Sequence, residues 1–201
     1  MATIYGLKPA FQNLLRPVCQ QLARHGVTAN QVTVCALILS GLLGASIAFW
    51  PEARWPLLAV PVVLFLRMAL NAIDGMLAHE HGMQSRLGGV LNELGDVMSD
   101  AVIYLPFALL EGVPAWGVVV AVVLAGISEM TGVMAVVIGA TRRYDGPMGK
   151  SDRAFWFSVL AILLGFGVPT EPWVVPAMWL LIALSVLTIV HRAHRALREA
   201  T

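Results

Sequence analysis

Apolar residues dominate six stretches of this 201-residue chain, near Gln31–Trp50, Leu57–Leu77, Val90–Leu110, Ala115–Ala140, Ala154–Val168 and Trp173–Val190. Proline and glycine fill the breaks between them, at Pro51–Pro56, His79–Gly89, Gly112–Pro114, Thr141–Arg153 and Pro169–Pro172, which is where helix ends are expected. A membrane-crossing helix needs roughly 20 apolar residues. Five of the stretches meet that, and the one before Val168 does so only if its helix begins near Lys150. Ahead of them, Leu7, Phe11, Leu14, Leu15, Val18 and Leu22 fall on one helical face, with Lys8, Gln12, Arg16 and Gln20 on another. That pattern predicts an amphipathic helix, kinked at Pro17, that either lies in the membrane interface or packs on the protein's own body. The expected fold is all-α: a polytopic membrane protein with six transmembrane helices and an N-terminal amphipathic interfacial helix. It forms one domain, with residues 1–26 cytoplasmic or interfacial and 27–201 a six-helix core.

Composition supports a lipid-facing exterior. Charged residues make up only 12% of the chain, about half of what a soluble globular surface carries. The net charge of +1 offers no basic field for nucleic acid. Cys19 and Cys35 lack metal or redox spacing and read as core filler. No signal-peptide pattern opens the chain. The basic residues then set an orientation. Lys8, Arg16, Arg24, Arg86, Arg142, Arg143, Lys150, Arg153, Arg192, Arg195 and Arg198 fall on one side, against Arg54 on the other. The positive-inside rule makes that richer side, with both termini, cytoplasmic. Trp50, Trp55, Trp116 and Trp173 fall near the opposite ends of the stretches and read as interfacial anchors.

Ionisable groups inside such stretches are costly and are functional candidates by default. Arg67, Asn71, Asp74 and Ala78 share one helix face, beside the small residue Gly75. Gly88, Asn92, Asp96 and Asp100 repeat every four residues along another helix, with Glu93 one position off. Two facing helices that project oxygen ligands suit a hard cation, and no Cys or His cluster competes for a softer one. A third region, Gly146–Arg153, puts Lys150 and Arg153 at a helix start, where they serve a phosphate or are ordinary flanking charge. Mid-stretch, Glu129 either orients the site or partners Arg67.

The order Asn71-x2-Asp74-Gly75-x2-Ala78-His79-x8-Gly88-x3-Asn92-x3-Asp96 resembles the signature of the CDP-alcohol phosphatidyltransferase family, D-x2-D-G-x2-A-R-x8-G-x3-D-x3-D. Asp74, Gly75, Ala78, Gly88 and Asp96 are kept, and the spacing is intact. Thr28-x-Asn30-x2-Thr33 resembles the family's opening motif, and Gly149-Lys150-x2-Arg153 its acceptor-side basic cluster. The resemblance implies an enzyme of phospholipid biosynthesis in a bacterial inner membrane, with its active site on the cytoplasmic side. It transfers a phosphatidyl group from CDP-diacylglycerol to an alcohol and releases CMP. The implied cofactor is Mg2+ or Mn2+, one or two ions, held by Asn71, Asp74, Asn92 and Asp96. Asn30, Thr33, Gly75, Ala78 and Gly88 would face the nucleotide, and Lys150 and Arg153 a phosphorylated acceptor such as glycerol 3-phosphate. The family resemblance also implies a homodimer, and Gly41, Gly44 and Ala48 would permit close helix packing.

The chain departs from the signature at three positions: Asn71 and Asn92 replace aspartates and His79 replaces the arginine. A carboxamide oxygen can bind a metal but brings no charge, so metal binding should weaken. Two registers stay open. Either the signature positions are the ligands with Asp96 as general base, or Glu93 or Asp100 restores a lost charge and Asp100 is the base. Arg86 or Arg67 would stand in for the missing arginine. The alternative function is a degenerate member that binds lipid or nucleotide without turnover; a transporter ranks last, because the polar groups gather at one end.

Overall fold

The structure, a computed structural model, describes residues 4–200, with side chains from residue 9 onward. Leu7 and Lys8, placed on the amphipathic faces by sequence, have side chains outside the described ones. Among the described residues seven α-helices follow one another: α1 (Ile4–Arg24), α2 (Ala29–Phe49), α3 (Arg54–Glu80), α4 (Arg86–Tyr104), α5 (Ala115–Val137), α6 (Lys150–Gly165) and α7 (Val174–Glu199), with a 3-10 segment at Leu105–Leu109. No strand occurs among the described residues. Four of the helices, α2, α3, α5 and α7, are long and apolar enough to cross a membrane, and the chain is an integral membrane protein. The predicted count of six is not reached on those grounds: α4 has 19 residues but carries Arg86, Glu93, Asp96 and Asp100, and α6 has only 16 residues.

Local chemistry fixes the helix starts. Thr28 and Gln31 cap α2 reciprocally: the Gln31 N–H donates to Thr28 Oγ1 at 3.3 Å and the Thr28 N–H to Gln31 Oε1 at 2.9 Å. Ser85 Oγ accepts the Gly88 N–H at 2.9 Å ahead of α4. At α6, Asp152 Oδ2 accepts the Gly149 N–H at 3.0 Å, and the helix does begin at Lys150. That start lengthens the short apolar stretch at its polar end.

Helices α2 and α3 pack side by side, α2 also meets α4, α3 meets α6, and α5 meets α7. The largest apolar core lies towards the end away from the polar cluster, where Tyr104 stacks on Phe157 at 4.0 Å and Phe107 meets the same ring edge-on at 5.2 Å. Gly44 explains how closely α2 approaches α4: a Cβ there would lie 2.1 Å from the Val102 carbonyl oxygen. Gly44 therefore serves packing within the chain, whereas Gly41 faces open space.

Helix α1 packs on the body and continues through Pro17. Cys19, Leu15 and Leu22 join a second core with Ile73, Met76 and Leu77, and Arg16 pairs with Glu80 at 2.9 Å. Leu14 and Val18 stay exposed, so the apolar face is divided between the protein and the outside. Cys19 is buried as expected, but Cys35 is exposed, because it sits on the outward side of α2 rather than in the core.

Candidate active site

The Arg16–Glu80, Thr33–Asp74, Lys150–Asp96 and Thr141–Glu199 contacts all occur where α2, α4 and α6 begin and α3, α5 and α7 end. That end of the bundle collects the polar residues singled out from sequence. Trp50, Trp55, Trp116 and Trp173 sit at the other end.

Helices α3 and α4 face each other through the signature positions. Asp96 Oδ1 accepts a hydrogen bond from Asn71 Nδ2 at 3.0 Å and pairs with the Lys150 ammonium. Asp74 is buried, and its Oδ2 accepts a hydrogen bond from the Thr33 hydroxyl at 2.8 Å. Asn92 is half-buried four residues before Asp96. Gly75 faces open space, whereas a Cβ on Gly88 would come 2.7 Å from Asn30 Oδ1. Asn30 and Gly88 thus join the starts of α2 and α4, and Thr33 reaches the carboxylate of α3. Ala78 packs against the second core.

Beneath Asp96 runs a chain of buried charges. Arg67 donates to Asp100 Oδ1 at 2.6 Å and to the Asp96 carbonyl at 3.1 Å. The other oxygen of Asp100 accepts from Arg153 Nη2 at 3.0 Å, and that same nitrogen donates to Glu129 Oε1 at 2.9 Å. Arg153 is 2% exposed, so it lies inside the bundle instead of reaching outward to an acceptor. Lys150 stays half-buried beside Asp96. Glu129 takes Arg153, Arg142 and Arg192, not the Arg67 partnership that sequence allowed. Sequence reasoning missed Arg142 and Arg192. Arg192 donates to the Ser128 carbonyl at 2.7 Å and to the Asp145 carbonyl at 3.0 Å, tying the loop at 138–149 to α5 and α7. Its position two residues beyond the end of an apolar stretch is the available signal, and flanking charge explains it equally well.

The second register loses its support from these contacts. Asp100 is closed off between two guanidinium groups, and Glu93 pairs with Arg142. Arg67, committed to Asp100, does not replace the signature arginine. His79 is exposed and meets Gln84 Nε2 at 2.6 Å, and Arg86 is exposed.

The donor set fits a divalent hard cation. Asn71, Asp74, Asn92 and Asp96 supply oxygen only, and among the described residues no group of three His, Cys, Asp or Glu side chains competes for a metal. The Lys150 ammonium on Asp96 marks where this arrangement holds positive charge. Alongside runs a groove of about 360 Å3 between α3 and α6, with Asn71 and Lys150 at its polar end and Pro61, Phe65, Met68 and Phe155 along its wall.

Residues 26–191 match the family described as CDP-alcohol phosphatidyltransferase. The chain belongs to that family. It is an enzyme, and the cofactor of the family is a divalent ion, Mg2+ or Mn2+. Among its relatives is the inner membrane protein YnbA of Escherichia coli, 48% identical over 159 residues that cover 78% of each chain. The phosphatidylinositol phosphate synthase of Mycobacterium tuberculosis is 26% identical over 93% of this chain and 87% of its own. The crystal structure of that synthase (PgsA1) in complex with manganese and citrate matches with a TM-score of 0.74 at 26% identity, covering 90% of this chain and 88% of that one. The same synthase with CDP-DAG bound also gives a TM-score of 0.74, at 24% identity, covering 90% and 92%, which speaks to the fold alone.

Proposed function

We propose that this phosphatidyltransferase moves the phosphatidyl group of CDP-diacylglycerol to an alcohol and releases CMP. The observation that carries the reading is the convergence of Asn71, Asp96 and Lys150 beside Asp74, at the polar end of an apolar groove. The groove is shaped for an acyl chain while the headgroup meets the polar cluster. The acceptor oxygen attacks the phosphatidyl phosphorus, the phosphoanhydride bond breaks, CMP leaves with the electron pair, and Asp96 takes the hydroxyl proton. Asn71 and Lys150 orient Asp96 for that transfer, and Arg67 fixes the α4 backbone through the Asp96 carbonyl. Asn71, Asp74, Asn92 and Asp96 would hold the divalent ion, which when bound offsets charge gathering on the diphosphate. Open space at Gly75 and the Asn30–Gly88 and Thr33–Asp74 contacts support a nucleotide site at the start of α2. Arg153 acts from beneath by holding Asp100.

Six crossings, with α4 and α6 turning their charges inward, complete this reading of the fold. Residues 27–201 form the transferase core, and residues 1–26 an interfacial segment. The basic residues gathered at the polar end support a cytoplasmic site and cytoplasmic termini. The functional unit is a homodimer, which crosslinking in native membranes tests. Activity is tested in detergent with Mg2+ or Mn2+ and labelled CDP-diacylglycerol: Asp74→Ala and Asp96→Ala should each abolish CMP release. Full release from both variants ends the transferase reading.

A further inference from the structure

Six cations around the site are already matched by carboxylates of the same chain, and Arg86 stays exposed at the start of α4. Lys150 stands on Asp96, and Arg67 on Asp100. Arg153 is shared by Asp100 and Glu129, and Arg142 by Glu93 and Glu129. Arg192 meets Glu129 at 3.5 Å and spends its remaining donors on carbonyls. In the loop before α6, Arg143 meets Asp145 at 3.0 Å and Glu199 at 2.6 Å. The loop is also held down without charge, by the Arg143 N–H on the Gly132 carbonyl and the Met148 N–H on Thr188.

Two consequences follow for a second substrate. A phosphate brings two negative charges and needs cationic donors of its own. To supply them here, Arg67 or Arg153 would have to leave a buried carboxylate without compensation, which is strongly unfavourable, and Arg142 or Lys150 would have to leave the half-buried Glu93 or Asp96 at a smaller cost. A hydroxyl makes no such demand. The half-buried carboxylates of Glu93 and Asp96 sit one turn apart on α4 and can accept hydrogen bonds from a polyol.

We infer that the acceptor is a polyol without a phosphate group, and that Glu93, by holding Arg142, is a specificity-determining residue. This rests on the transferase reading above and narrows its acceptor. Arg142 is the cation that Glu93 withholds from an incoming phosphate, and Glu93 adjoins the ligand position Asn92.

The test uses matched acceptors at equal concentration, glycerol against glycerol 3-phosphate and inositol against inositol 1-phosphate, with CMP release and product mass as readouts. The unphosphorylated member should react at least about tenfold faster, the worth of one charged hydrogen bond. E93Q should narrow that ratio several-fold, by raising the rate with the phosphorylated acceptor and lowering the rate with the unphosphorylated one. Faster reaction with the phosphorylated member of a pair overturns the inference and leaves the transferase reading standing. An unchanged ratio in E93Q removes Glu93 from it. A second readout needs no turnover: the melting temperature of the Mn2+-loaded protein with CDP-diacylglycerol. A larger rise with the phosphorylated compound than with its partner overturns the inference. No CMP release from any of the four acceptors sinks the transferase reading and the inference with it.

Discussion

Asp96 and Asp100 lie one turn apart on α4, and their surroundings assign them different work. Asp96 is 24% exposed at its side chain and meets an amide and an ammonium at the edge of the groove. Asp100 is 6% exposed and clamped between Arg67 and Arg153. Removing Asp100 leaves two buried guanidinium groups short of a partner, a loss of roughly 3–5 kcal/mol. Asp100→Ala should therefore lower the melting temperature by on the order of 10 °C in a chain of this size. Asp96→Ala should abolish CMP release with a much smaller thermal shift, read by fluorescence unfolding in detergent. Equal shifts for the two variants would remove the distinction. Asn92 offers a test of charge alone. A carboxylate in place of its carboxamide adds one unit charge beside the ion, which at a few ångströms is worth on the order of tenfold in affinity after screening. Asn92→Asp should lower the Mn2+ dissociation constant by about that factor in calorimetry. An unchanged constant would take Asn92 out of the ligand set.

At the scale of elements, periodicity was a good guide to helices and a poor one to partners. The start of α6 at Lys150 follows from Gly149 and Asp152, and the rows on α3 and α4 follow from residues recurring every three or four positions. Which cation meets which carboxylate depends on how six helices are arranged, and spacing within one helix is blind to that. Arg153 was therefore legible as a charge at a helix start but not as the partner of Asp100 and Glu129. Cys35 escaped for the same reason: an apolar neighbourhood in sequence does not distinguish a face turned to lipid from one turned to protein. Sequence reads Gly44 as a small residue for close helix packing, and its neighbour in the fold is Val102 of the same chain. Because α4 carries Asp96, the α2–α4 approach also sets the site. Gly44→Val should push α4 away, cost about 1–3 kcal/mol by overpacking and reduce CMP release. Gly41→Ala, with nothing within 4 Å of its added Cβ, should leave both unchanged. Loss of activity in the Gly41 variant alone would reverse the assignment.

The whole molecule is polarised from end to end. Asp74, Asp96, Lys150, the Glu129 network and most of the arginines gather where α3, α5 and α7 finish. At the opposite end Trp50 lies 6.0 Å from Trp55 and Trp116 lies 4.9 Å from Trp179. Such a gradient gives one end a water-facing, ion-binding role and the other an anchoring one. It fits a reaction whose lipid donor keeps its chains in the bilayer and presents its headgroup at the polar end. The gradient also makes topology measurable. In a variant with Cys19 and Cys35 replaced by alanine, a cysteine at exposed Gln84, between α3 and α4, should resist a membrane-impermeant thiol reagent applied to intact cells. It should react once the membrane is opened. A cysteine at exposed Glu111, between α4 and α5, should react in intact cells. The reverse pattern would turn the active site outward, where CDP-linked donors and CMP are not expected to be supplied or recovered, and the charge-based orientation would fall with it. Protection of both positions in intact cells would instead mean that α4 does not cross, and the six-span reading would have to give way to one built on the four apolar helices alone; reaction of both would overturn the orientation as well.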